Sequence, residues 1–177
     1  LVTDSEVKVG ASRFDQYLPL IRGKKIALMA NHTTVVGGRH LADTLLSLGA
    51  DIRLIFSPEH GFRGSGEAGE AIADGKDPET GIRIVSLYGK IKKPSPVHLQ
   101  GLDWVVFDLQ DVGVRFYTYA SSMQYLMEAC ADAEIPLLIL DRPNPNGYFI
   151  DGPVLDPKYA SFVGLNPVPV VHGLTLG

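Results

Sequence analysis

Four polar clusters hold most of the groups in this chain that could do chemistry, and each directly follows an apolar run. Asn31, His32 and Thr33 follow the run at 25–30, and Ser57, Pro58, Glu59, His60, Gly61, Phe62, Arg63 and Gly64 follow the run at 52–56. Gln110, Asp111, Val112, Gly113, Val114, Arg115, Phe116 and Tyr117 follow the run at 104–109. Asp141, Arg142, Pro143, Asn144, Pro145, Asn146 and Gly147 follow the run at 136–140. Carboxylates, guanidiniums, imidazoles and phenols are the groups of proton transfer and of charge stabilisation. Glu59 is the most informative of them. A carboxylate just past a buried strand, after Pro58 and before His60-Gly61, does little for stability, which points to function.

Each cluster also has a plainer explanation. Asn31 suits a turn cap, and Asp141 with Arg142 suits a structural ion pair or a loop-closing carboxylate. His32 and His172 read more readily as hydrogen-bonded structural residues than as catalysts. Arg115 and Tyr117 could pack locally, yet beside Gln110 and Asp111 a substrate role is equally open. Several chemistries are disfavoured. Gly37-Gly38 lies too late after the first run for a dinucleotide-binding loop, and no P-loop is present, so no nucleotide cofactor is expected. No H-E-x-x-H or similar spacing joins Glu59, His60, His32 and His172, so no metal is expected. No G-x-S-x-G elbow occurs. Carboxylate chemistry remains: Glu59 with Asp111 or Asp141, supported by Arg and Tyr donors. Glycoside hydrolysis needs only such groups.

The elements that must position these residues are legible in the apolar pattern. The runs at 25–30, 52–56, 82–87, 104–109 and 136–140 are nearly continuous, as strands buried on both faces of a parallel sheet read. Helical spacing covers 39–48, ending at Gly49, and 119–133. Alternating strands and helices predict an α/β fold: an open, mostly parallel, Rossmann-like sheet flanked by helices in three layers. In such a sheet all four clusters exit on one rim, where open α/β folds place ligands. The stretch 61–81 has no clear period and reads as a long loop, and 90–96 reads as a solvated turn into a short helix. Beyond Arg142, repeated prolines predict an irregular tail pinned to the sheet or leading into another domain.

Composition sets the outer limits. A chain of 177 residues, 45% hydrophobic and 20% charged, with net charge −4, is that of a single globular domain. No basic stripe with interleaved aromatics is present, so no nucleic-acid partner is expected. No apolar run reaches the roughly 18–20 residues of a spanning helix. The single cysteine, Cys130, lies in a helical pattern and reads as a small buried apolar residue.

The clusters resemble a known family. Residues 57–64 (Ser-Pro-Glu-His-Gly-Phe-Arg-Gly), 108–119 (Asp-Leu-Gln-Asp-Val-Gly-Val-Arg-Phe-Tyr-Thr-Tyr) and 141–147 (Asp-Arg-Pro-Asn-Pro-Asn-Gly) match it, as do 152–155 (Gly-Pro-Val-Leu) and 171–177 (Val-His-Gly-Leu-Thr-Leu-Gly). The family is DUF1343, the NamZ exo-β-N-acetylmuramidases. The resemblance implies release of terminal N-acetylmuramic acid from the non-reducing end of peptidoglycan fragments, in cell-wall turnover and recycling. It also implies an extracytoplasmic location, periplasmic or secreted, with a leader removed ahead of Leu1. Family members continue past the last motif into a second, smaller domain that closes the cleft. This chain is expected to be a single catalytic domain over 1–177 without it.

On this reading Glu59 is the general acid, and Asp111 is the second carboxylate, acting as base, nucleophile or stabiliser of the oxocarbenium-like transition state. Arg63, Arg115 or Arg142 pairs with the lactyl carboxylate of the sugar. Asn31, His60, Gln110 and Tyr117 orient hydroxyls or the acetamido group, and Asp141 and His172 complete the expected substrate-binding set. If the acetamido group itself attacks, Asp111 only orients it. The rival is a non-catalytic peptidoglycan- or sugar-binding domain that keeps the Arg and Tyr donors and tolerates loss of Glu59.

Overall fold

The computed structural model describes residues 7–64 and 74–177. Along the chain lie α1 (Phe14–Ile21), β1 (Lys25–Ala30), β2 (Val35–Val36), β3 (Arg39–His40), α2 (Leu41–Ser47) and β4 (Asp51–Ser57). They are followed by β5 (Gly75–Lys76), β6 (Arg83–Ser86), α3 (Pro96–Leu99), β7 (Trp104–Asp108), α4 (Tyr119–Asp132) and β8 (Leu137–Ile139). The main sheet has the order β5-β6-β4-β1-β7-β8. All its neighbours pair in parallel except β5, which lies antiparallel on the edge. The expected mostly parallel, Rossmann-like sheet is therefore present.

Strand geometry explains why the apolar runs are continuous. Successive side chains of β1 point to opposite faces, and both faces are covered. Ile26, Leu28 and Ala30 pack with Tyr17 and Ile21 of α1 and with Leu41 and Leu45 of α2. Ala27 and Met29 pack with Leu99 of α3 and with Leu126, Ala129 and Cys130 of α4. Helices on two sides of one sheet make three layers. β1 is the centre: β4 and β6 lie to one side of it, β7 and β8 to the other. The order reverses there, and at the carboxyl ends this is where ligands of such sheets bind.

Some elements depart from the sequence pattern. The helix expected over 39–48 begins at Leu41, because Arg39 and His40 pair antiparallel with Val35 and Val36 across the Gly37-Gly38 turn. His40 then caps the helix, its Nδ1 accepting from the Ala42 amide at 3.2 Å. α1 has no counterpart in the sequence reading, because Pro19 inside it interrupts the pattern. Of the expected loop 61–81, residues 65–73 lie outside the described residues, while 75–76 form the edge strand. The tail is irregular, as expected, and isolated bridges such as Val114 with Val171 attach it.

Candidate active site

The chain leaves β4 through Pro58 and bends at once. His60 adopts φ 72°, a left-handed conformation uncommon for a residue with a side chain. That bend brings Glu59 and His60 to the rim while Phe62, 4% exposed, returns to the core. Arg63 then fixes the end of the loop. Its Nε and Nη2 donate to Asp77 at 2.7 and 2.9 Å, and its Nη1 and Nη2 donate to Asp43 of α2 at 3.2 and 2.9 Å. Glu79 adds a third carboxylate at 3.4 Å. The fork holds the Asp77 carboxyl down at about 2, well below the usual range.

A cleft of about 500 Å³ opens over this loop, lined by His32, His60, Arg63, Gly64 and Tyr117. The His32 and His60 rings meet edge to face, 6.4 Å between centroids. Tyr117 stands across from them, its ring 4.8 Å from that of Tyr119. Glu59, next to His60, accepts from the Thr118 hydroxyl at 3.1 Å, and it lies near enough to Tyr88 to add to burial in raising the pKa of that phenol. The exits of β1, β4 and β7 thus converge on one polar cleft, with His32, His60 and Tyr117 lining it, and Thr118 beside Tyr117 reaches Glu59.

The other expected residues reach the same rim but are committed to holding it together. Asn31 is fully buried: its Nδ2 donates to the Tyr119 hydroxyl at 2.7 Å and its Oδ1 accepts from the Thr33 amide at 2.8 Å. Gln110 donates from Nε2 to the carbonyls of Asp111 and Pro143. Arg115 donates from Nη1 to the carbonyls of Pro153 and Val168, both at 2.8 Å. Asp141 accepts from the Gly177 amide at 3.0 Å. His172, 8% exposed, accepts from the Leu174 amide at Nδ1. These contacts tie the rim and the tail together rather than opening toward a ligand.

Arg63 and Arg142 are both committed to buried carboxylates. Arg142 grips Asp108 bidentately, Nε to Oδ1 at 2.6 Å and Nη2 to Oδ2 at 2.9 Å, with side chains 8% and 0% exposed. Burial pushes the Asp108 carboxyl up and the Arg142 fork opposes it. The edge that would grip a substrate carboxylate is therefore filled at Arg142 by Asp108, and at Arg63 by Asp77 and Asp43. A buried carboxylate left without its arginine would be costly, so both forks serve the fold first. Among the described residues no carboxylate pairs with Arg115.

Asp111 sits under its own turn. It is 7% exposed; Oδ1 accepts from the Gly113 amide at 2.7 Å, and Oδ2 is buried with no partner among the described residues. Burial raises its carboxyl above the usual range. An orphaned buried oxygen is uncommon and carries a cost. Asp111 is a buried carboxylate under its own turn, not an exposed one facing the cleft.

Tyr88 and the acidic partners of Arg63 lie outside every motif, and Thr118 lies within the 108–119 stretch without a residue type that marks it. They became visible only through strand register and loop closure. His40 was also missed: its ring packs on Phe62 at 4.6 Å, its Nε2 bonds the Asn31 carbonyl at 2.9 Å, and burial lowers its pKa.

Comparison with known proteins gives the family and the fold. The family model described as "Exo-beta-N-acetylmuramidase NamZ, N-terminal" matches residues 26–177. The chain is 47% identical over 164 residues to the peptidoglycan β-N-acetylmuramidase NamZ of Bacillus subtilis (strain 168), covering 91% of this chain and 40% of the relative. Crystal structures of two DUF1343 family proteins from Bacteroides fragilis NCTC 9343 superpose with TM-scores of 0.86 each, at 48% and 36% identity. Those alignments cover 98% and 96% of this chain and 45% and 43% of the two neighbours. The chain thus spans less than half the length of the relatives it matches.

Proposed function

Since the chain belongs to the NamZ exo-β-N-acetylmuramidase family, we propose that it carries the acid-bearing wall of a glycosidase site that releases terminal N-acetylmuramic acid from the non-reducing end of peptidoglycan fragments. The observation that carries this reading is Glu59: a carboxylate hydrogen-bonded by the Thr118 hydroxyl and directly preceding His60, which lines a polar cleft on the rim where open α/β sheets bind ligands. Glu59 gives its proton to the leaving glycosidic oxygen as the bond from that oxygen to the anomeric carbon breaks. Water supplies the hydroxyl that ends on the anomeric carbon. His60 and Tyr117 orient the sugar in the cleft. Arg115 is the guanidinium proposed to meet the lactyl carboxylate, because Arg63 and Arg142 already hold buried carboxylates.

The burial of Asp111 favours an orienting role over direct attack. In that route the substrate's acetamido oxygen adds to the anomeric carbon and water later opens the intermediate, so no exposed second carboxylate is required. The wider proposal places the enzyme outside the cytoplasm in cell-wall turnover and recycling, with a second domain closing the cleft. The test is chromophore release from an aryl β-N-acetylmuraminide by the complete protein. Glu59→Gln is expected to lower kcat by at least about 100-fold. A Glu59→Gln variant as fast as the parent overturns the acid assignment. A parent that binds the sugar and releases nothing makes the chain a binding module.

A further inference from the structure

β6 and β4 pair in parallel with Ser86 opposite Ser57. The Leu87 amide continues the ladder to the Ser57 carbonyl at 2.8 Å. Counting two residues onward from the Ser57–Ser86 pair brings Tyr88 level with Glu59. Leu87, 1% exposed, anchors the strand end in the core directly before it. The Tyr88 phenol lies near enough to the Glu59 carboxylate for that charge to add to burial in raising its pKa, while Thr118 Oγ1, from the β7 exit, donates to Oε2 at 3.1 Å. Tyr88 and Thr118 follow strands on opposite sides of β1.

The Tyr88 ring is itself braced by the tail. It lies 6.5 Å from the ring of Phe162. Phe162 stacks on Tyr125 of α4 with centroids 5.9 Å apart and planes 19° apart, and the Lys92 ammonium sits 4.4 Å from its centroid. Offset stacking and a cation over the ring hold Phe162 in place without a hydrogen bond. A residue of the proline-rich tail thereby buttresses a residue that lies beside the candidate acid.

We propose that Tyr88, braced by Phe162, is a positioning residue that aims the Glu59 carboxylate. The inference rests on the reading of Glu59 as the acid. A hydrogen bond from a positioned phenol fixes the rotamer of a carboxylate that must point at a leaving oxygen, and misplacement of an acid lowers the rate more than the affinity.

Two measurements on the complete protein test it. In the first, Tyr88→Phe removes only the hydroxyl. It is expected to lower kcat about 10-fold with KM within about twofold and the melting temperature unchanged. Phe162→Leu, which leaves the hydroxyl in place, is expected to lower kcat in the same sense by a smaller factor. In the second, ring-labelled tyrosine NMR follows the ionisation of Tyr88, whose pKa is raised by burial and by Glu59. In Glu59→Gln its midpoint is expected to fall toward that of ordinary tyrosine. Unchanged kcat in Tyr88→Phe, or an unchanged Tyr88 midpoint in Glu59→Gln, overturns the proposal. If the parent releases no muramic acid, the functional reading fails, and the NMR titration still decides whether the two side chains are joined.

Discussion

At the scale of single residues, Glu59 and Asp111 show how one kind of group meets two environments. Glu59 is held at the rim by the Thr118 hydroxyl with Tyr88 nearby, whereas Asp111 is buried with one oxygen unpartnered among the described residues. Burial raises the Asp111 carboxyl, so its ionised form weakens the fold. Below the ordinary aspartate pKa both states are protonated and there is no effect. Above the raised folded value the full penalty applies. Asp111→Asn keeps the acceptor for Gly113 and is expected to gain about 1 kcal/mol of stability at pH 7. The gain should shrink toward zero as the pH falls to about 4, and urea melts across that range check it. Loss of muramidase activity in the same variant would mark Asp111 as a group retained at a cost to stability. An equal gain at pH 7 and pH 4 would mean that the carboxyl's charge is not the cause.

At the scale of elements, the Arg63 fork joins the Glu59 loop, α2 and the turn before β6. Asp77, fully buried, also accepts from the Thr80 amide and hydroxyl, so its charge is well satisfied only while Arg63 is present. Arg63→Ala is expected to cost about 3–5 kcal/mol, because it leaves a buried carboxylate unpaired. Lysine should recover only part of this, since it lacks the planar fork. The Asp77 carboxyl is depressed to about 2, so its contribution is complete above about pH 4 and is lost as the pH falls toward 2. Arg63→Ala should therefore flatten the acid limb of the stability curve. A second junction is Gly113, at φ 74°, where a Cβ would run into the Asn144 side chain. Asn144 in turn donates to the Leu174 carbonyl at 2.9 Å. Gly113→Ala is expected to loosen the tail by roughly 1–3 kcal/mol, read as faster amide exchange over 171–174 with slower exchange retained in β1.

At the scale of the whole molecule, the tail exposes several large apolar side chains. Tyr148 is 82% exposed, Ile150 69% and Tyr159 68%. Under the proposed two-domain arrangement these residues are covered in the complete protein. This chain alone should then bind more of a hydrophobic dye, and cleave an aryl β-N-acetylmuraminide more slowly, than the complete protein does. Equal dye binding and equal cleavage would remove the reason for a second wall.

By itself the sequence determined periodicity and the consequences of periodicity. Continuous apolar runs require a sheet covered on both faces, and β1, β4, β6, β7 and β8 lie where those runs predicted. Because parallel strands share one exit edge, the polar clusters had to reach a common rim. Residue types alone could not tell a ligand from a brace. Arg63, Arg115 and Arg142 carry the same guanidinium, yet only contacts made across distant segments showed that Asp77 and Asp108 occupy two of them. Tyr88 had no motif at all, and became a neighbour of Glu59 only when β6 paired with β4 in one register. Sequence spacing encodes which face a side chain takes. Tertiary structure decides which partner it meets there, because that depends on pairings between segments that local pattern does not record.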